Sequence, residues 1–168
     1  HVTVVQVKSS AAALGHIASA FQDHPSREMK VVAVTGTNGK TTTVSLLHQL
    51  FRLLDRKVGM LGTVENRIVD RVVPATHTTP DALSLQALLR EMADEGCTHV
   101  FMEASSHAIV QERIAGTAFT GAVFTNTVLY DGVIDERNGA ATTTFTNGIT
   151  INGAGTIRPD VSRTLTVT

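Results

Sequence analysis

The stretch over residues 31–43, VVAVTGTNGKTTT, constrains the fold more than any other part of the chain. Val31-Val32-Ala33-Val34 is an unbroken apolar run with no alternation, which suits a strand covered on both faces, as in a parallel sheet. The run breaks at Thr35-Gly36-Thr37-Asn38-Gly39 and passes into Lys40-Thr41-Thr42 at the start of an amphipathic helical pattern. Strand, glycine-rich turn and a helix opening on Lys-Thr make a phosphate cradle. Gly36 and Gly39 let the backbone approach an anion with no Cβ in the way, and the helix N-terminus adds a favourable dipole. In that reading Gly36, Thr37, Asn38, Gly39, Lys40, Thr41 and Thr42 hold a nucleotide, with Lys40 reaching the β- and γ-phosphates and the Thr41 hydroxyl ligating Mg2+. The general pattern places a glycine five residues before Gly39, where this chain has Val34, so only the shorter GTNGKTT form is present. The plainer alternative is a glycine turn that starts an ordinary helix.

Around this stretch, strand and helix patterns alternate. Residues 1–7 (HVTVVQV) read as a short β-type run, and Ser9-Ser10 opens a helix with Leu14, Ile17, Ala18 and Phe21 at helical spacing, ended by His24-Pro25. His16 and His24, on this helix or at its end, read as solvated or packed histidines in preference to ligands. After the loop, Val44, Leu47, Leu50, Phe51 and Leu54 mark the face of a helix that covers the first strand, while His48 falls off that stripe. Residues 58–63 (VGMLGT) read as a buried strand, and residues 65–73 alternate Ile68, Val69, Val72 and Val73 with charges, as an exposed hairpin or sheet edge does. Thr79 is the expected N-cap of the next helix, with Pro80 at its first position and Asp81 favouring its positive end; the helix carries Leu85, Leu88, Leu89 and Met92 and stops at Gly96. Residues 98–103 and 119–126 supply further strands. The expected class is α/β: a mostly parallel, doubly wound sheet of the P-loop type, with the phosphate loop at its carboxyl edge.

The acid that ends residues 98–103 stands out. A carboxylate directly after Val100-Phe101-Met102 is costly to bury unless it meets a metal or a cation. Ligands also gather outside the carboxyl ends of strands in an open α/β sheet, so Glu103 is the expected second Mg2+ ligand beside Thr41, with a structural salt bridge as the alternative. Ser105-Ser106-His107 invites a hydrolase reading, but no G-x-S-x-G elbow accompanies it. The net charge of -1 gives no electrostatic case for nucleic acid or an anionic membrane as partner, and no apolar run approaches the roughly 20 residues of a membrane span. The single cysteine, Cys97, has no disulfide partner within the chain, which points to a reducing, cytoplasmic setting.

GTNGKTT after a hydrophobic strand resembles the Mur ligase family, the ATP-dependent amino-acid ligases of peptidoglycan synthesis. ATHTTPD at residues 75–81 and FMEASSHAIVQERI at residues 101–114 are similar to its MurE type, and the similarity extends to Asn126. The resemblance implies ATP and Mg2+ as cofactors and a UDP-N-acetylmuramoyl-dipeptide as substrate. In the full-length enzyme a diamino acid, commonly meso-diaminopimelate, is joined to it by an amide bond, in the service of cell wall biogenesis, cell shape and cell division. Lys40 is then the catalytic cation. His77, Thr78, Thr79, Ser105, Gln111 and Arg113 match positions that contact the muramoyl-peptide, Arg113 being able to hold a carboxylate bidentately. On residue type alone, Thr79 is a helix cap and Gln111 and Arg113 a solvated helix face.

The resemblance divides the chain into residues 1–29, the end of an N-terminal domain and its connecting helix; residues 30–126, a partial ATP-binding central domain; and residues 127–168, a tail of unknown origin. In the family, an Asp-His pair and then a lysine, usually carbamoylated, serve a second Mg2+ after the FTN strand. Here Thr127-Val128-Leu129-Tyr130-Asp131-Gly132 follows, with no histidine after His107 and no lysine after Lys57. The tail is rich in Thr, Gly and Asn, with turn signals at Asn147-Gly148 and Asn152-Gly153 and strand-like alternation over residues 161–168; hairpins and a flexible low-complexity segment are both open. The expectation is a fragment of a ligase with little or no turnover of its own. A non-catalytic ATP-binding module and a folylpolyglutamate synthetase-like ligase, which shares the phosphate loop, are the alternatives.

Overall fold

A computed structural model describes residues 4–125, and by backbone alone Val133–Asp135, Thr142–Thr144 and Thr156–Arg158. The apolar run after Met29 becomes the inner strand β1, Lys30–Gly36. It pairs in parallel on one side with β5, His99–Glu103, and on the other with β6, Gly121–Thr125. Strand β2, Val58–Leu61, lies parallel to β5, and the antiparallel hairpin of β3, Glu65–Ile68, and β4, Arg71–Pro74, extends the sheet beyond β2. With the backbone of β8, Thr142–Thr144, beside β6, the order is β4-β3-β2-β5-β1-β6-β8; β7, Val133–Asp135, and β9, Thr156–Arg158, pair separately in parallel. The mostly parallel α/β sheet and its edge hairpin are those that the sequence pattern predicts.

Successive strand residues point to opposite faces, and the core divides accordingly. Val31, Leu61, Val100 and Met102 join one cluster, in which helix α3, Ala82–Asp94, buries Leu85, Leu89 and Met92. Val34, Val58, Met60 and Phe101 join the other, which helix α2, Lys40–Leu53, covers with Val44, Leu47 and Phe51. Each fully buried Leu or Met contributes on the order of 1.5–3 kcal/mol, so both faces of the sheet are anchored independently of its edges.

Several expectations change at the level of single faces. On α2 the inward stripe is Val44, Leu47, His48 and Phe51; His48 is only 4% exposed, whereas Leu50 and Leu54 face outward. Turning the helix this way brings the Phe51 ring against Phe101 at 5.0 Å and His99 at 4.7 Å. Helix α1, Ser10–Phe21, is capped by Ser9 as expected, its hydroxyl accepting from the Ala12 amide at 3.2 Å. Its large apolar residues face out, however, with Phe21 83% exposed, and its buried face is Gly15, Ala18 and Ser19. The cause is close approach: a Cβ at Gly15 would stand 2.4 Å from the Ala115 carbonyl, so only small residues fit there. Residues 4–7 form no strand. The N-cap of α3 is Asp81 rather than Thr79: its carboxylate accepts from the Leu83 and Ser84 amides at 3.0 Å each, while Thr79 is drawn into the sheet edge. The turn signals at Asn147-Gly148 and Asn152-Gly153 and the alternation over residues 161–168 lie outside the described residues.

Candidate functional site

The carboxyl ends of β2, β5, β1 and β6 lie side by side, so the residues that follow them share one edge of the sheet. After β1 the chain turns at Gly36, whose φ of +133° and whose closeness to Thr125 both require glycine; a Cβ there would stand 2.2 Å from the Thr125 carbonyl oxygen. Gly39, with φ of +84°, leads into α2. The first bond of the helix runs from the Thr43 amide to the Gly39 carbonyl at 2.9 Å, so the amides of Lys40, Thr41 and Thr42 have no acceptor within the helix. These donors and the dipole of the first turn are what an anion meets. The Lys40 ammonium folds back over the turn, donating to the Gly36 carbonyl at 2.8 Å and the Thr37 carbonyl at 3.3 Å. Thr125 closes the loop from the other side, its hydroxyl 2.7 Å from the Asn38 carbonyl and 3.2 Å from that of Thr35.

Glu103 ends β5 beside this loop, in register with Val34, and is only 1% exposed. Its Oε1 accepts from the Thr41 hydroxyl at 2.9 Å and from the Thr63 amide at 2.9 Å, and the Thr63 hydroxyl lies 3.1 Å from its Oε2. Gly62 permits this approach, since a Cβ there would stand 3.0 Å from Oε1. None of the ion pairs among the described residues includes Glu103. A buried carboxylate with neutral donors and no cation invites one. No group of three or more His, Cys, Asp or Glu that could cage a metal occurs among the described residues. One carboxylate and one hydroxyl in contact fit Mg2+, which keeps much of its shell from water and substrate.

Next to Glu103 stands the segment before α3. The Thr78 hydroxyl is 3.2 Å from that of Thr63. Thr79 is buried and fully engaged: its hydroxyl donates to the Glu103 carbonyl at 2.8 Å and accepts from the Ser105 amide at 3.2 Å. Arg113 donates to the Thr79 carbonyl at 3.2 Å, and Ser105 caps the short helix α4, Ser106–Val110, by accepting from the Ala108 amide at 3.2 Å. Thr78, Thr79, Ser105 and Arg113 are thus brought together around the end of β5. His77 is exposed, its ring nitrogen 3.2 Å from the Thr76 hydroxyl, and Gln111 is an exposed residue at the C-terminus of α4; no hydrogen bond described here brings either into this network. Sequence reasoning missed Thr63 and Thr125, whose only signal is their place at the carboxyl ends of β2 and β6.

Residues 34–128 match the Mur ligase middle domain. A UDP-N-acetylmuramoyl-L-alanyl-D-glutamate--2,6-diaminopimelate ligase of Cytophaga hutchinsonii is 64% identical over 124 residues, 74% of this chain and 26% of that protein. A solved structure of a ligase with the same name superposes with a TM-score of 0.60 at 31% identity, over 77% of this chain and 28% of the other. The Mycobacterium tuberculosis folylpolyglutamate synthase, solved with ADP and AMPPCP, has a TM-score of 0.53 at 14% identity, over 77% of this chain and 36% of that one, and so shares the fold. The chain spans about a quarter of the length of the curated relatives it matches. Strand, glycine loop, buried acid and matched residues lead to one assignment: the chain belongs to the Mur ligase family and carries part of its middle domain.

Proposed function

We propose that this chain is the nucleotide-binding part of an ATP-dependent ligase that joins a diamino acid to UDP-N-acetylmuramoyl-L-alanyl-D-glutamate. The names of its relatives supply the substrates. The observation that carries the reading is the 2.9 Å contact between the Thr41 hydroxyl and the Glu103 carboxylate, which brings together residues 62 positions apart at the mouth of the glycine loop.

The chemistry follows from what a carboxylate lacks. Its oxygen is a poor leaving group, so the γ-phosphoryl of ATP is transferred to it first, and the amine then displaces phosphate as the amide forms. Catalysis of such a transfer is chiefly positioning and electrostatic stabilisation. The amides of residues 36–42 cradle the triphosphate, and the Lys40 ammonium leaves the Gly36 and Thr37 carbonyls to meet the β- and γ-oxygens. Thr41 and Glu103 would hold Mg2+, which neutralises charge on the phosphates when bound. The Thr41 proton is directed to Glu103, which leaves the hydroxyl lone pairs for a cation. Thr78, Ser105 and Arg113 face the muramoyl-peptide side, joined by His77 and Gln111 once substrate draws them in, while Thr79 holds that wall together from within. Residues 1–29 are the end of a preceding domain, residues 30–126 the central nucleotide-binding part, and no chemistry is assigned to residues 127–168. A cytoplasmic setting is consistent with the unpaired, buried Cys97 and with the finding that no described helix is long and apolar enough to cross a membrane.

A nucleotide-binding role without turnover is the second reading for the isolated chain. It rests on the lack of any histidine after His107 or lysine after Lys57 to serve a second metal ion within these 168 residues. Both readings require binding, which calorimetry with Mg-ATP on the wild type and Lys40→Ala measures. The expected result is saturable binding by the wild type and a loss of at least about tenfold in the variant, as for one charge-assisted contact removed. Equal binding by the two, or none by either, contradicts the proposal.

A further inference from the structure

We infer that Thr63 is a positioning residue: it orients the Glu103 carboxylate for the metal ion and couples that carboxylate to Thr78 on the substrate side. The inference rests on the Mg-nucleotide reading of the loop. Among the described residues Thr63 alone bonds to both carboxylate oxygens, with its amide 2.9 Å from Oε1 and its hydroxyl 3.1 Å from Oε2. A hydroxyl has one proton. It lies between a carboxylate, which can only accept, and the Thr78 hydroxyl at 3.2 Å, which can donate. The consistent direction is therefore Thr78 to Thr63 to Glu103.

Two consequences follow. First, the carboxyl group cannot turn about its last torsion without breaking bonds on both oxygens, so the face it shows the Thr41 hydroxyl is fixed before a cation arrives. Second, a ligand that takes the Thr78 proton weakens the chain that ends on Glu103, so the substrate wall and the metal carboxylate are linked through a single exposed side chain. Neither the loop motif nor the buried acid reveals this. It depends on β2 lying beside β5, which puts the residue two positions beyond β2 against the last residue of β5.

Thr63→Val and Thr63→Ser test the assignment on the full chain. Valine keeps the shape and the backbone amide but loses the hydroxyl; serine keeps the hydroxyl. The readouts are the Mg2+ concentration that half-saturates binding of a non-hydrolysable ATP analogue, and binding of the same analogue with chelator in place of Mg2+. Thr63→Val is expected to need roughly 3- to 10-fold more Mg2+, the net size of one ordinary hydrogen bond, with the Mg-free affinity unchanged; Thr63→Ser stays within about twofold of the wild type. An unchanged Mg2+ requirement in Thr63→Val, a serine variant no better than valine, or an equal loss with and without Mg2+ overturns the role of Thr63 and leaves the nucleotide site standing. Absence of Mg2+-dependent binding in the wild type overturns both.

Discussion

Glu103 is legible from the sequence because an acid that ends an apolar strand needs a reason, and Lys40 and Thr41 because glycine-loop chemistry has a fixed spacing. Thr63 carries no such signal; a threonine after a glycine acquires meaning only from the neighbouring strand. His48 shows the opposite failure, since helical periodicity with Leu50 and Leu54 in the stripe turns it outward, whereas it is buried, its Nε2 lacking a hydrogen-bond partner among the described residues. Burial and then the nearby Arg67 guanidinium hold its pKa below the ordinary value, with Arg52 adding to the effect and Asp70 and the Val69 backbone opposing it. As pH falls, the unfolded chain takes up this proton before the folded one does. The stability that neutral His48 provides is therefore complete above about pH 6.5 and is lost as pH falls from there toward the lower folded value. His99 is shifted the same way, by burial and then by Lys30 and Arg56. Urea midpoints between about pH 7.5 and 5.5 should fall in the wild type and fall less in His48→Leu, the remainder belonging to His99. An unchanged slope in the variant contradicts the buried-neutral account.

At the scale of elements, the sequence pattern puts the cap of α3 at Thr79, with Pro80 and Asp81 following it in the first turn. Burial decides: Thr79 is taken into the sheet edge, which leaves Asp81 to meet the helix amides. The two residues should then fail differently. Asp81→Ala removes a cap and is expected to cost about 1 kcal/mol in urea unfolding with nucleotide binding intact. Bonds from the Ser84 hydroxyl and amide hold the Asp81 carboxyl below its usual range, so its contribution is present above the unfolded pKa and is lost as pH falls through the folded one. Thr79→Val leaves the Glu103 carbonyl and the Ser105 amide without this hydroxyl, is expected to cost about 1–3 kcal/mol, and loosens the wall beside the Glu103 carboxylate. The reverse ranking would restore Thr79 as the cap. Helix α1 teaches a related lesson. Periodicity locates large apolar residues, but the close approach of Gly15 to Ala115 sets which face is inward.

At the scale of the whole molecule, the order of strand and helix patterns suffices for the doubly wound sheet, because each apolar run has one neighbour that can cover it. The sequence pattern does not extend to the chemistry of residues 127–168, where Thr, Gly and Asn give turn signals and no motif. With no histidine and no lysine in that segment, two anions would meet with less cationic screening than in a full-length ligase. Phosphate release with ATP, Mg2+, the UDP-linked dipeptide and diaminopimelate should therefore stay at background for this chain, and turnover comparable to a full-length ligase contradicts that. The most direct test of the central claim is a crystal structure of the chain with Mg2+ and a non-hydrolysable ATP analogue. The account predicts the triphosphate on the amides of residues 36–42, the Lys40 ammonium turned from the Gly36 carbonyl to the phosphates, and Mg2+ about 2.1 Å from the Thr41 and Glu103 oxygens. A nucleotide bound elsewhere, or a metal ion that leaves Glu103 untouched, contradicts it.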